Sequence, residues 1–231
     1  MLERGEYTHS IFTNIQLVRR IRKLLITIEN LNKSFKTKQL LKDFSFEFKK
    51  GENIFITGKN GAGKTTLINM ILGFEKLDKG KISINIDKHD IGMVFQKTDR
   101  DQYLTVENEL EISKILHSNS KIDDYVDFLN IEDLQRRSSK LSGGEWQKLQ
   151  VIKAISFKPK ILITDEISTG LDYLSRESLY ELLKKYLTNN DTTYISVSHY
   201  EDEINLFADK VLVMNNGEVE VYDNRNKDFT F

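Results

Sequence analysis

The sequence has no cysteine and a single proline, Pro159, among its 231 residues. The first absence excludes disulfides, thiolate metal sites and a cysteine nucleophile together, and it fits a reducing compartment, with the cytoplasm as the expected location. The second, together with the lack of any Ser/Gly-rich tract, low-complexity segment or internal repeat, leaves no flexible linker at which to divide the chain. Long apolar runs are missing too. None reaches the roughly 18 residues that a membrane-crossing helix requires, so any passage through a bilayer belongs to another chain. Nor is there an excess of one charge: 34 basic and 35 acidic residues give a formal net charge of −1. That balance offers no bulk attraction for nucleic acid, and a polyanion would have to be held locally. The first 25 residues do not read as a signal peptide, because the apolar stretch from Ile11 to Val18 is short and its charges follow it, at Arg19, Arg20, Arg22 and Lys23.

What is present suffices for one well-cored domain, or one domain with two lobes and a short extension, since 39% of the residues are hydrophobic. Residues 24–29 and 44–48 read as strands, with Phe44, Phe46 and Phe48 on one face. Residues 53–57 form an apolar run ending at Gly58, and residues 66–72 suit a buried helix closed by Gly73. Strands are expected at 82–86 and 92–95. Between 106–116 and again between 122–129 the apolar residues recur at helical spacing, which predicts a small helical lobe. Residues 149–157 continue as a helix, 161–164 as a buried strand, 175–187 as an amphipathic helix and 193–198 as another strand. Residues 211–214 and 218–222 flank Asn215, Asn216 and Gly217, a hairpin signal. Alternating strands and helices of this kind predict an α/β fold with a mainly parallel sheet.

Three strings carry chemistry. Gly58, Lys59, Asn60, Gly61, Ala62, Gly63, Lys64 and Thr65 match the phosphate-binding loop pattern, in the strand-to-helix context that the pattern needs. Glycines let backbone N–H groups turn inward on a phosphate, the following helix adds its positive end, Lys64 neutralises charge, and the Thr65 hydroxyl can ligate magnesium. About a hundred residues later, the apolar strand 161–164 ends in Asp165 and Glu166. Such a strand can place Asp165 beside that magnesium and Glu166 beside an attacking water, although two acids can also be an ordinary solvated strand end. Crowding the two acids raises one pKa unless the metal compensates. The third string is Leu141, Ser142, Gly143, Gly144 and Glu145, followed by Trp146, Gln147, Lys148 and an apolar helix; its Ser-Gly-Gly start makes a second anion-binding surface.

The third string resembles the signature of ABC ATPases, and its order after the phosphate loop and before the Asp165-Glu166 strand is that family's order. The resemblance covers residues from about 26 to 223. It implies a P-loop NTPase of the ABC ATPase type, with a mainly parallel core, an N-terminal antiparallel β subdomain and a small helical subdomain at about 97–157. Residues 26–231 would then be the ATPase domain and 1–25 an extension. The family's two half-sites meet across a dimer, so ATP and Mg2+ are the implied ligands, held by residues 58–65 with Thr66 on one subunit and by Ser142, Gly143 and Gly144 on the other. By position, Gln96 resembles the glutamine that reaches magnesium and water, His199 the histidine that contacts the γ-phosphate, and Asp172 part of the loop that crosses the dimer interface. Phe35 stands where an aromatic stacks on adenine, with Phe12, or a core role for Phe35, as the alternative. Thr65, Gln96 and Asp165 are thus the implied metal ligands; Glu166, Gln96 and His199 the implied catalytic groups.

The sequence departs from the family pattern in several places. Ile167 replaces the usual proline, Glu145 the common glutamine, and Lys148 and Lys153 the usual arginines. None removes a catalytic group, so hydrolysis is expected to survive. Neither long coiled coils between the motifs nor a second copy of the cassette is present, which favours a transporter subunit at the cytoplasmic face of the membrane. It would pair with a second ATPase subunit and with transmembrane permease subunits, and nucleic acid is not an expected partner. The run from Gln96 to Tyr103 followed by Thr105, Val106, Glu107, Asn108, Glu109 and Leu110 resembles energy-coupling-factor importers of vitamins and metal ions, while exporters carry a similar string. A soluble assembly ATPase, resembling the iron–sulfur cluster scaffold partner, is the alternative. In the extension, Ile11, Ile15, Val18 and Leu25 share a helical face that could lie on a membrane or a partner, or belong to a disordered tail.

Overall fold

The computed structural model describes residues 24–36, 38–96, 98–117 and 121–231. Phe12 and the Ile11, Ile15 and Val18 face lie outside the described residues, whereas Leu24 and Leu25 already belong to a strand and are buried. Strands β1 (Leu24–Phe35), β2 (Lys38–Lys49) and β4 (Lys79–Ile84) make an antiparallel sheet in the order β2-β1-β4. Strands β3 (Asn53–Gly58), β5 (Ile91–Val94), β6 (Ile161–Asp165), β7 (Thr193–Val197), β8 (Lys210–Asn215) and β9 (Glu218–Asp223) make a second sheet, ordered β5-β6-β7-β3-β8-β9. Its neighbours run parallel as far as β8, and β9 returns antiparallel. Asn216 and Gly217, both at positive φ, make the tight turn between β8 and β9 that the Asn-Asn-Gly string predicts.

The parallel strands are apolar on both faces, and a period of two divides their side chains between two cores. Ile54 and Ile56 of β3, Ile161 and Ile163 of β6, Ile195 and Val197 of β7, and Leu212 and Met214 of β8 enter a core shared with the antiparallel sheet and helix α1 (Lys64–Leu72). The intervening Phe55, Leu162, Tyr194 and Val211 enter the other core, beneath helices α3 (Gly143–Ile155), α4 (Tyr173–Asn189) and α5 (Glu201–Phe207). Each fully buried side chain of this kind contributes about 1.5–3 kcal/mol. Edge-to-face rings tighten the second core, with Phe55 and Tyr194 centroids 5.5 Å apart and Tyr180 and Phe207 centroids 5.8 Å apart. In the antiparallel sheet, Phe44 and Phe48 are buried and Phe46 packs beside them, its ring 4.8 Å from that of Phe48.

Helix α2 (Val106–Leu116) spans the residues whose periodicity marks it, and a Thr105–Asn108 capping box closes its start. Residues 122–129 depart from expectation. They form two 3₁₀ turns, Ile122–Asp124 and Val126–Leu129, separated by Tyr125 at φ −126° and ψ −7°. The buried Ile122, Tyr125 and Leu129 recur at intervals that 3₁₀ turns satisfy as well as an α-helix does, and eight residues are too few to sustain an α-helix alone. Helix α5 and the buried Phe229 beyond β9 carried no sequence expectation. No helix among the described residues is long and apolar enough to cross a membrane.

Candidate functional site

The phosphate-loop string occupies the turn between β3 and α1, at the carboxyl end of an interior strand of the parallel sheet, between β7 and β8, where open α/β sheets bind ligands. Gly58 is required there. Its φ is +135°, and a Cβ would lie 2.2 Å from the Met214 carbonyl oxygen of the adjacent β8. Gly63, at φ +105°, is the N-cap of α1 and supplies no capping side chain, which leaves the first-turn N–H groups free of one. The Lys64 ammonium folds back over the loop and donates to the Gly58 carbonyl at 2.9 Å and the Lys59 carbonyl at 3.4 Å. Lys38, from the start of β2, donates to the Gly61 carbonyl at 2.7 Å. Nothing in the sequence pattern pointed to Lys38, because it reaches the loop only through the β1–β2 hairpin.

The two acids follow from the neighbouring strand β6, which is buried along its length. Asp165 Oδ2 accepts the Thr65 hydroxyl at 2.9 Å, while Asp165 Oδ1 is buried without a partner. Burial pushes the Asp165 carboxyl above its ordinary range; the Thr65 hydrogen bond opposes this, the Glu166 charge adds to it, and Lys64 opposes it again. A hydroxyl and a carboxylate with one unused buried oxygen suit a hard divalent cation. Glu166 turns off the strand at φ +49°, a conformation that costs a non-glycine residue about 1–3 kcal/mol. Its Oε2 accepts from Gln96 Nε2 at 2.8 Å and its Oε1 lies 3.9 Å from the Lys64 ammonium. Lys64, Thr65, Gln96, Asp165 and Glu166, drawn from three segments, thus form one connected group.

A second group forms where α3 meets the start of α4. The Ser142 hydroxyl accepts from the Glu145 N–H at 3.2 Å, and the Glu145 carboxylate accepts from the Ser142 N–H at 2.7 Å. Burial works against the Glu145 charge, but the Arg136 hydrogen bond at 2.6 Å and the Ser142 donors outweigh it and hold the carboxyl below its ordinary range. Gly144 is needed for contact between the helices, since a Cβ there would lie 2.6 Å from the Ser175 side chain. Asp172 caps α4: one oxygen accepts the Ser175 N–H at 3.0 Å and the other the Ser175 hydroxyl at 2.6 Å.

The remaining expected residues stand apart. Phe35 is exposed, with the Lys33 ammonium 4.7 Å from its ring centre. His199 is exposed and lies beside Tyr200, ring centres 4.4 Å apart. Among the described residues, neither these two nor Ser142, Gly143 and Gly144 make a hydrogen bond, ion pair or ring contact with the phosphate loop. Thr66 lies in the first turn of α1, and Asn60, Gly61 and Ala62 form the crest of the loop.

Residues 41–169, more than half of the chain, match the family model described as ABC transporter. A spermidine/putrescine import ATP-binding protein of Haemophilus ducreyi is 30% identical over 85% of this chain and 57% of its own length. A sulfate/thiosulfate import ATP-binding protein of Synechocystis is 33% identical over 84% of this chain and 59% of its own length. The chain therefore spans less than two thirds of these relatives. Among solved structures, a dimeric ATP-binding cassette in a post-hydrolysis state, bound to ADP and Pi, superposes with a TM-score of 0.72 and 25% identity, covering 87% of this chain and 99% of that one. The phosphate loop, the Ser142–Glu145 helix start and the Asp165–Glu166 pair follow one another in that order along the chain, and the chain belongs to the ABC transporter family, as an ATP-binding domain of it.

Proposed function

We propose that this chain is the ATP-binding and ATP-hydrolysing subunit of a membrane transporter, and that it works as a pair of ATPase subunits on transmembrane permease subunits. The connected group around Asp165 Oδ1 carries the reading: the hydroxyl of Thr65, the carboxylate of Asp165 and the amide of Gln96 would hold Mg2+ against the phosphates of ATP. When bound, the metal neutralises charge on the β- and γ-phosphate oxygens. The loop N–H groups and Lys64 bind the β- and γ-phosphates, and Lys64 leaves its present partners, the Gly58 and Lys59 carbonyls. Glu166, oriented by Gln96, accepts a proton from the water that attacks the γ-phosphorus, as the bond to ADP breaks. His199 contacts the γ-phosphate and Phe35 the adenine. Ser142, Gly143 and Gly144 face the γ-phosphate held by the other subunit, because in their own subunit they stand apart from the loop.

The ATPase domain in this reading is residues 26–231 together with Leu24 and Leu25, which already belong to β1, with a helical subdomain at about 97–157 and the residues before Leu24 as an extension. ATP bridging the two half-sites favours the closed pair, and loss of the γ-phosphate contacts favours the open one. The exposed apolar side chains Ile112 and Leu116 of α2 border a cleft of 350 Å³ with Met93 and Phe157, which suits a membrane partner pushed by this motion. The chain would then be peripheral, at the cytoplasmic face. Import is favoured over export because the relatives described above are import ATP-binding proteins.

The test is recovery of tagged Glu166→Gln protein from detergent-solubilised cells with ATP and Mg2+, with partners identified by mass spectrometry. A polytopic membrane partner is expected, and its class decides direction. Recovery with soluble assembly proteins alone rejects the transporter role.

A further inference from the structure

Glu203 lies in the first turn of α5 and is 0% exposed. Among the described residues no cation pairs with it, and its Oε1 has no hydrogen-bond partner. Burying a carboxyl on these terms is unfavourable, and a group kept half-satisfied calls for an explanation. Every hydrogen bond it accepts falls on Oε2: the Ser168 hydroxyl at 2.5 Å, the Ser198 hydroxyl at 2.9 Å and the Tyr180 hydroxyl at 3.3 Å. The two serines, each 1% exposed, come from different loops. Ser168 follows β6 and opens the segment that runs through Thr169 and Gly170 to Asp172 against the start of α3. Ser198 follows β7, immediately precedes His199, and takes the Tyr200 N–H at 3.2 Å on its own oxygen.

We propose that Glu203 is a positioning residue that fastens the 168–172 segment and the His199 loop to one carboxylate oxygen, so that the two shift together. The role of each loop rests on the ATPase reading, in which residues 169–172 face the second subunit and His199 faces the γ-phosphate. The fastening itself does not. Because both serines donate to the same atom, neither loop can move without dragging that atom or breaking its bond. Pressure from the second subunit on Asp172 is then passed to His199 within the same protomer, and ATP turnover senses whether the pair is closed.

Hydrogen exchange on the full chain, read by mass spectrometry, tests the fastening. Ser168→Ala is expected to speed exchange about tenfold in peptides covering 198–202, across the gap, and Ser198→Ala to do the same in peptides covering 168–172. An effect confined to the loop that carries the substitution overturns the proposal. In ATPase assays each substitution lowers kcat by about tenfold with KM for ATP within about twofold, and the double substitution lowers it no further. Additive losses in kcat overturn the proposal as well. If Glu203→Ala does not fold, the serine variants still decide the matter. Wild-type protein without ATP turnover would remove the ATPase reading, while the exchange measurement would continue to judge the fastening.

Discussion

The Trp146 indole donates its Nε1–H to the Thr98 hydroxyl at 2.9 Å, which joins the segment after Gln96 to the first turn of α3. Arg100 strengthens the joint. Its guanidinium lies 5.5 Å from the same ring and donates to the Leu141 carbonyl at 2.5 Å. In the proposed reading, Gln96 at one nucleotide half-site is thereby linked to Ser142 at the other through the Trp146–Thr98 and Arg100–Leu141 hydrogen bonds.

Trp146 is the single tryptophan of the chain, so its fluorescence reports on this joint. Addition of ATP with Mg2+ should shift its emission. Gln96→Ala should abolish the shift with ATP affinity within about threefold. A shift of unchanged size in that variant would show that Gln96 does not drive the joint.

Glu166→Gln keeps the shape of the side chain and removes its proton-accepting charge. Turnover should fall by about 100-fold or more, with ATP binding retained and an ATP-bound dimer accumulating in light scattering. Wild-type turnover would remove Glu166 from the role of base.

Gly58→Ala and Gly73→Ala both place an alanine at positive φ, but only the first meets backbone: a Cβ at 58 falls 2.2 Å from the Met214 oxygen, and a Cβ at 73 finds nothing within 4 Å. Urea denaturation should show a loss of about 1 kcal/mol for Gly73→Ala and more than about 3 kcal/mol for Gly58→Ala. Equal losses would mean that β8 yields at Met214.

Glu145→Gln tests the start of α3. The Glu145 carboxyl is held below its ordinary range, so its charge stabilises the fold above the unfolded value of about 4.3 and the contribution disappears as pH falls through the lower folded value. The variant should be less stable by about 1 kcal/mol at pH 7, and the gap should close on acidification toward pH 3. A gap independent of pH would assign the effect to shape and not to charge.

Strings whose members lie side by side were legible in the sequence, since a phosphate loop, a Ser-Gly-Gly helix start and an acid pair each need only local backbone to be recognised. The sheet was legible for a related reason: a short apolar run such as Ile54, Phe55, Ile56, ended by Gly58, fits a strand buried on both faces. Residues 122–129 were misread because apolar spacings of three and four do not distinguish a 3₁₀ turn from an α-helix over so short a span. Lys38 at the loop and Glu203 beneath His199 gave no signal, because their partners, Gly61 and Ser168, are 23 and 35 residues away in sequence.

By itself, then, the sequence determined the chemical types at the site and the order in which they arrive, because local propensity and hydrophobic period act over a few residues. Only the tertiary structure decided which of them touch. Gln96 meets Glu166 because β5 pairs with β6, and Thr65 meets Asp165 because α1 starts at the end of β3, two strands from β6. Ser142 stays away from its own phosphate loop because α3 packs on α4, where Gly144 permits a close approach to Ser175. Such pairings are set by strand order and helix packing across the whole chain, which no short stretch of residues encodes.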